Sequence, residues 1–459
     1  MKSVHITNYY HKSSGGISTS YNNLLAAAER HKRYVRLIVP GEKEAVEDIN
    51  EFARIYYVPA KYSPLFDKRY RVMMPWQYMM TDSIIRRILL DEMPDMIEVT
   101  DKYTLSVLGV MIRTNNFKKL GRPMLVHFSC ERMDDNIASY ITKGKLGRWF
   151  ARRVISNYTF PSFDYHIANS EYTAEEFYEA VRRADNPSRS NSFLNACWRF
   201  FKSPRVSYDE RIFVCPRGVD SAHFSPDRRS DDVKREMRER AGIPQGSIAL
   251  LYAGRVSPEK NIGLLVDMMK VLGTEKTQDY RLLVAGAGPQ SSWLREQGEL
   301  AAPGKIVQLG HLDKELLADY YANADVFVHP NPKEPFGIAP LEAMASGIAT
   351  VAPNAGGILS YANNDNAWLM APTGEEFAAA VQEIISDPRL RERKIENALA
   401  TARVHTRKAS TDRLFATYDK IYEDFNQRRH LFTDVKEAGT FDFAADLLAE
   451  NNEAVAESS

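Results

Sequence analysis

Short apolar runs recur along the chain, bounded by glycine, proline or polar residues. In the first half they are SVHIT, YVRLIVP (34–40), RIYYVP (54–59), MIEVT (96–100), MLVHFS (124–129), YHIAN (165–169) and RIFVCP (211–216). Each reads as a strand. Stretches of helical spacing lie between several of them, notably TSYNNLLAAAERH (19–31) and YTAEEFYEAVRR (172–183). Such alternation predicts a parallel sheet with helices on both faces. From about Ser247 the pattern starts again with SIALLYAG (247–254), YRLLVAGAGP (280–289), IVQLG (306–310) and DVFVHP (325–330). Two Rossmann-like domains facing each other across a cleft are the simplest α/β architecture that accommodates both halves.

The helices of the second half carry clear start and stop signals. Ser257 suits an N-cap and Pro258 the first helical position, ahead of the amphipathic IGLLVDMMKVL. Asp313 caps a helix with Leu316, Leu317, Tyr320 and Tyr321 on one face. PLEAMASG is a short helix closed by Gly347, and Pro340 belongs in its first turn, so it starts near Gly337 and Ile338.

Composition narrows the class. At 459 residues two domains are expected, and 44% hydrophobic with 26% charged residues is ordinary for a globular chain. A formal net charge of zero gives no reason to propose a nucleic acid partner. No apolar run reaches the roughly 20 residues of a membrane span. MKSVHITNYY enters a strand at once rather than a signal peptide, which predicts a cytoplasmic chain. Cys130, Cys197 and Cys215 are too scattered for a disulfide framework or a zinc site.

The chemistry concentrates in EPFGIAPLEAMASGIATVAPNAGGI. Glu334 stands in a loop before a helix start, and Glu342 lies within that helix. Unpaired backbone N–H groups and the positive end of the helix dipole make the start an anion site. Together these groups suit one ligand with a diphosphate and several hydroxyls. Arg255 and Lys260 bracket a second strand-to-helix junction, where open α/β sheets bind ligands. Gly15 and Gly16 form a strand-to-helix turn that permits close backbone approach to a ligand.

This pattern resembles the signature of glycosyltransferase family 4, retaining sugar transferases of the GT-B fold (glycosyl transferases group 1). The resemblance is strongest over residues 247–358. It implies that Glu342 holds the ribose hydroxyls of a nucleotide and Glu334 hydroxyls of the transferred sugar. It further implies that Phe336, Gly337 and Ile338 present backbone amides, that Arg255 and Lys260 bind the diphosphate, and that the base lies near Leu309 and Gly310. Gly15 and Gly16 would lie beside the phosphates, and His127 would contact the sugar. Arg132, Asp134 and Asp135 follow in a polar loop that could reach the acceptor. PRGVDSAHFSP (216–226) matches the interdomain connection, with Arg217 where asparagine is usual.

The implied layout is an acceptor-binding domain over 1–218, a donor-binding domain over 219–412, a returning helix over 413–429 and an acidic tail over 430–459. The implied reaction moves a sugar from a UDP- or GDP-sugar to a hydroxyl of a glycan or lipid-linked acceptor, with retained configuration, no divalent metal and no cofactor. Uracil and guanine are both left open. A carboxylate-pair hydrolase is set aside because Glu342 is assigned to the ribose. A nucleotide-sugar epimerase or phosphorylase of the same fold, and a non-catalytic nucleotide-sugar-binding subunit, are the alternatives.

Segments 61–80 and 143–160 interleave Lys and Arg with Trp, Phe, Tyr and Met, and 184–204 has the same character. They fit either a core-facing stripe with a basic edge or peripheral contact with anionic lipid at the inner face of the membrane.

Overall fold

The structure, a computed structural model, describes residues 1–11, 16–63, 71–140, 145–182 and 187–433. It divides into two units: Met1–Cys215, to which the chain returns from Thr411, and Pro216–Ser410. Gly15 and residues 434–459 of the tail lie outside the described residues, whereas the first tail residues belong to the helix Arg429–Thr433, with Phe432 in the core of the first unit.

The first unit is built on an eight-stranded sheet. In chain order its strands are β1 (Lys2–Ile6), β2 (Tyr34–Gly41), β3 (Ala45–Asp48) and β4 (Ala53–Pro59), then, beyond a short antiparallel pair β5 (Lys61–Tyr62) and β6 (Arg71–Val72), β7 (Met96–Val99), β8 (Met124–Ser129), β9 (Tyr165–Ala168) and β10 (Ile212–Val214). The order across the sheet is β10-β9-β8-β7-β1-β2-β4-β3, parallel except for β3 against β4. Every residue of β7, β8 and β9 is buried, as expected of strands covered on both faces. The helix Arg407–Gln427 closes this unit. Phe415, Tyr418, Ile421 and Phe425 recur along it at helical spacing and enter the same core as Met96, Met124 and Tyr165. Tyr418 donates to Glu98 and Tyr165 to Asp424, so the buried hydroxyls are satisfied.

The second unit holds six parallel strands: β11 (Ile248–Ala253), β12 (Tyr280–Ala285), β13 (Ile306–Gly310), β14 (Val326–Val328), β15 (Ala349–Pro353) and β16 (Trp368–Met370). Their order is β13-β12-β11-β14-β15-β16. The chain winds outward from β11 in one direction, then crosses to β14 and winds outward in the other. The strand order therefore reverses between β11 and β14. In open α/β sheets, loops at the carboxyl ends of such a pair diverge and leave a crevice for a ligand.

One helix start departs from its expectation. Ser257 does not cap the helix: its hydroxyl bonds Glu259 at 2.6 Å, and Pro258–Lys260 form a single 3-10 turn. Asn261 then takes a left-handed conformation (φ +54°) and interrupts the run, so the helix proper is Gly263–Leu272. Asn tolerates that conformation better than most side chains. Asp313 does cap its helix, accepting from the Leu316 amide at 2.8 Å. Gly347 (φ +70°) follows the helix Ile338–Ala345, and the Ile348 amide reaches back to Ala343.

Candidate functional site

The loops leaving β11 and β14 carry the candidate residues, and side chains join them. Lys260 donates to Oε2 of Glu334 at 2.7 Å, across 74 positions of sequence. Asn331 donates to the same oxygen at 2.9 Å, and Asn261 donates to the Pro330 carbonyl at 3.0 Å, tying the two loops together. Oε2 thus carries both bonds, while Oε1 faces no described partner. A lysine ammonium has three N–H donors and gives one of them here, which leaves two for a second anion.

The electrostatics follow from this geometry. Burial by itself would raise the Glu334 carboxyl, but the Lys260 charge and the bonds from Lys260 and Asn331 outweigh it and hold it down at about 2. Glu334 is a fixed anion at neutral pH. His329, 3.7 Å from the same carboxylate, is pushed down to about 4 by burial and stays neutral. Arg255 lies 3.8 Å from Glu259 on the β11 side.

Glu342 is held differently. It sits in the helix Ile338–Ala345, where Tyr321 donates to it at 3.3 Å. Burial pushes its carboxyl up to about 7, while Tyr321 and the charges of Arg407 and Lys314 pull the other way. The two glutamates therefore differ in protonation near neutrality: Glu334 is ionised and Glu342 is poised to titrate.

Backbone geometry fixes the loop between them. Gly337 (φ +83°) precedes the helix, and Tyr361 donates to its carbonyl. Phe336 is buried, with its ring 5.2 Å from that of Tyr361. The first amides of the helix, beginning at Ile338, have no carbonyl partner within it. The Gly356–Gly357 turn clamps this loop from behind: the Gly357 amide donates to the Glu334 carbonyl at 2.7 Å, and a Cβ on Gly357 would lie 1.9 Å from the Pro335 oxygen. Gly357→Ala is expected to lower the thermal midpoint by several degrees, an overlap cost of about 1–3 kcal/mol at roughly 2–4 °C for each. Calorimetry beside Gly246→Ala, where a Cβ meets open space, checks this. Equal midpoints would remove the clamp.

The structure brings Arg255, Lys260, Glu334, Phe336, Gly337, Ile338 and Glu342 to the carboxyl end of one sheet. Leu309 lies half-buried in β13 at the same end. Gly16 and His127 belong to the first unit. Gly16 begins the helix Gly16–His31. His127 stands within β8 rather than at its end, and its ring is fully buried beside Phe163, His166 and Phe177. Neither of its ring nitrogens meets a hydrogen-bond partner among the described residues. The expected polar loop is instead the start of the helix Met133–Tyr140, with Asp134 and Asp135 in its first turn; Arg132 pairs bidentately with Asp134 and also bonds Glu179.

Four residues of the site escaped the sequence reading. Asn331, His329 and Asn261 lie in loops, and Tyr321 reads in the sequence only as an apolar helix position. The sole signal for Asn331 was its place between two prolines in HPNPKEP.

Comparison with known proteins bears on this geometry. Residues 233–401 match the family model described as glycosyl transferases group 1. That stretch, which carries Arg255, Lys260, Glu334 and Glu342, belongs to this group of glycosyltransferases. Over 396 residues it is 27% identical to the GDP-mannose-dependent alpha-(1-6)-phosphatidylinositol dimannoside mannosyltransferase of Mycobacterium tuberculosis, covering 86% of this chain and 90% of that one. Its fold is GT-B, shared with the sucrose-phosphate synthase of Thermosynechococcus elongatus (TM-score 0.66, 18% identity, 92% of this chain and 100% of that one). It is shared equally with Anabaena Alr3699/HepE in complex with UDP-glucose (TM-score 0.63, 16% identity, 92% and 100%).

Proposed function

We propose that this glycosyltransferase moves a sugar from a nucleoside diphosphate to a hydroxyl of a glycan or lipid-linked acceptor, with retention and without a divalent metal. The observation that carries the reading is the Lys260–Glu334–Asn331 cluster at the strand-order reversal. Glu334 accepts from sugar hydroxyls through Oε1, and Lys260 turns its remaining N–H donors to the diphosphate. Sugar recognition and leaving-group charge thus meet in one ion pair. Arg255 adds a second cation, the Gly337–Ile338 turn contributes amides, and Glu342 accepts from the ribose.

As the bond from the anomeric carbon to the phosphate oxygen breaks, its electron pair passes to the diphosphate. Lys260 and Arg255 bind the product charge more strongly than the ground-state charge, which lowers the barrier. The acceptor oxygen bonds the anomeric carbon on the face the phosphate leaves, and its proton goes to that phosphate. Two fixed cations supply the charge that a metal would otherwise bring. The mannosyltransferase relative makes GDP-mannose the first donor to test, ahead of UDP-glucose. A cytoplasmic enzyme held at the inner membrane face fits a lipid-linked acceptor.

The test is a screen of UDP- and GDP-sugars for binding and slow hydrolysis, followed by proton NMR of the anomeric centre in the product. The expected result is turnover of one nucleotide class, unchanged by EDTA, with the donor's configuration kept. Conversion of the sugar without an acceptor would favour an epimerase instead. Donor binding with neither hydrolysis nor transfer would indicate a non-catalytic subunit.

A further inference from the structure

The helix Lys145–Val154 (KLGRWFARRV) presents two unlike sides. Gly147 and Ala151 are buried, and the chain continues into Ile155, which joins Ala151 in a core with Phe160, Phe177 and Trp198. The outward arc carries Leu146, Trp149 and Phe150, exposed by 70%, 52% and 54%. These lie at i, i+3 and i+4, so they form one continuous apolar strip. Lys145, Arg148, Arg152 and Arg153 border and interrupt it, and the helix contains no acidic residue. Arg153 lies over the Trp149 ring at 5.2 Å, and among the described residues only Arg152 of this helix reaches an acid, Glu179 at 3.1 Å. The helix Pro187–Phe200 is fastened to the same segment by a bond from the Trp198 indole to the Ser156 carbonyl (2.7 Å), and it exposes Phe193 and Phe200.

Exposed large apolar side chains gathered on one face need a partner. A second copy of the same face would oppose four cations with four more, so charge disfavours self-pairing. An anionic bilayer meets both demands. Its headgroup zone takes Trp and Phe rings, and its phosphates take Lys and Arg.

We propose that the outward face of Lys145–Val154 docks the first unit on anionic lipid. This deepens the membrane placement put forward above and rests on it, while leaving the donor site to be tested separately. The full chain is sedimented with vesicles of phosphatidylcholine alone and of phosphatidylcholine mixed with phosphatidylglycerol. Binding to the mixed vesicles is expected to be tighter by at least about tenfold and to weaken with salt. Trp149→Ser with Phe150→Ser, and separately Arg148→Glu with Arg153→Glu, are each expected to remove most of that preference. Circular dichroism and nucleotide affinity should stay unchanged, and that affinity separates failure here from failure of the transferase reading. Wild-type binding by both variants would overturn the proposal. So would a concentration-dependent dimer that Trp149→Ser with Phe150→Ser dissolves, which would assign the face to a second copy.

Discussion

Lys260→Ala is expected to lower turnover by about a hundred- to a thousandfold, the range for deleting one preorganised charge contact to a developing anion. The loss should fall on kcat more than on KM, because the charge on the leaving diphosphate grows only as the bond breaks. The substitution has a second consequence. It strips the cation from a mostly buried Glu334, at a cost of about 1–3 kcal/mol in stability. Glu334 owes its low value of about 2 to Lys260 and Asn331, so it should titrate higher in the variant. The linkage sign is definite. A depressed carboxyl stabilises the fold above its ordinary range near 4.5, and that contribution is lost as pH falls toward about 2. The wild type should therefore lose stability on acidification over this window, and Lys260→Ala should lose less.

Catalysis and stability are separated by Lys260→Ala combined with Glu334→Gln. The double variant should recover the midpoint, since no bare carboxylate is left, but none of the turnover. Rapid-quench kinetics and calorimetry on the single and double variants decide it. Recovery of turnover in the double variant would show that Lys260 serves only to neutralise Glu334, and its role on the diphosphate would have to be dropped.

The features legible in the chain were those set by local physics. Uninterrupted runs such as SIALLYAG and YRLLVA became β11 and β12 because a strand covered on both faces needs no polar alternation. Asp313 and Gly347 ended their helices as expected, since caps act within one turn. The short edge strand β3 was missed because AVED is exposed and carries little apolar signal. The helix start at Ser257 was misread because nothing before Asn261 announces its left-handed backbone. His127 shows the opposite limit. Position along a strand does not reveal that both faces are covered, and β8 buries all of its residues. The contact between Lys260 and Glu334 depends on β11 and β14 being neighbours, a fact of topology that no local pattern contains. Only the resemblance to a known signature had put those two residues in one site.

The second large effect concerns Glu342, whose raised carboxyl should make nucleotide binding depend on pH. Without ligand its value of about 7 lies above the ordinary 4.5, so its stabilising contribution is complete below about pH 4.5 and lost as pH rises through about 7. That loss amounts to up to about 3 kcal/mol, and Glu342→Gln should flatten it. Ribose hydroxyls donate most strongly to the ionised carboxylate, so binding should pull the value down and release a proton. Affinity for GDP or UDP is then expected to climb between about pH 5 and 7 and level off above. Phosphate ionisation contributes in the same range, and Glu342→Gln isolates it because the amide cannot titrate while keeping the shape. Titration calorimetry in two buffers of different ionisation heat counts the protons directly. The wild type should release more protons than the variant near pH 6, and the variant should bind about tenfold or more weakly at pH 8, as expected on losing a charge-assisted contact. Equal proton counts with equal affinities would take Glu342 off the ribose and leave its raised carboxyl a consequence of burial alone.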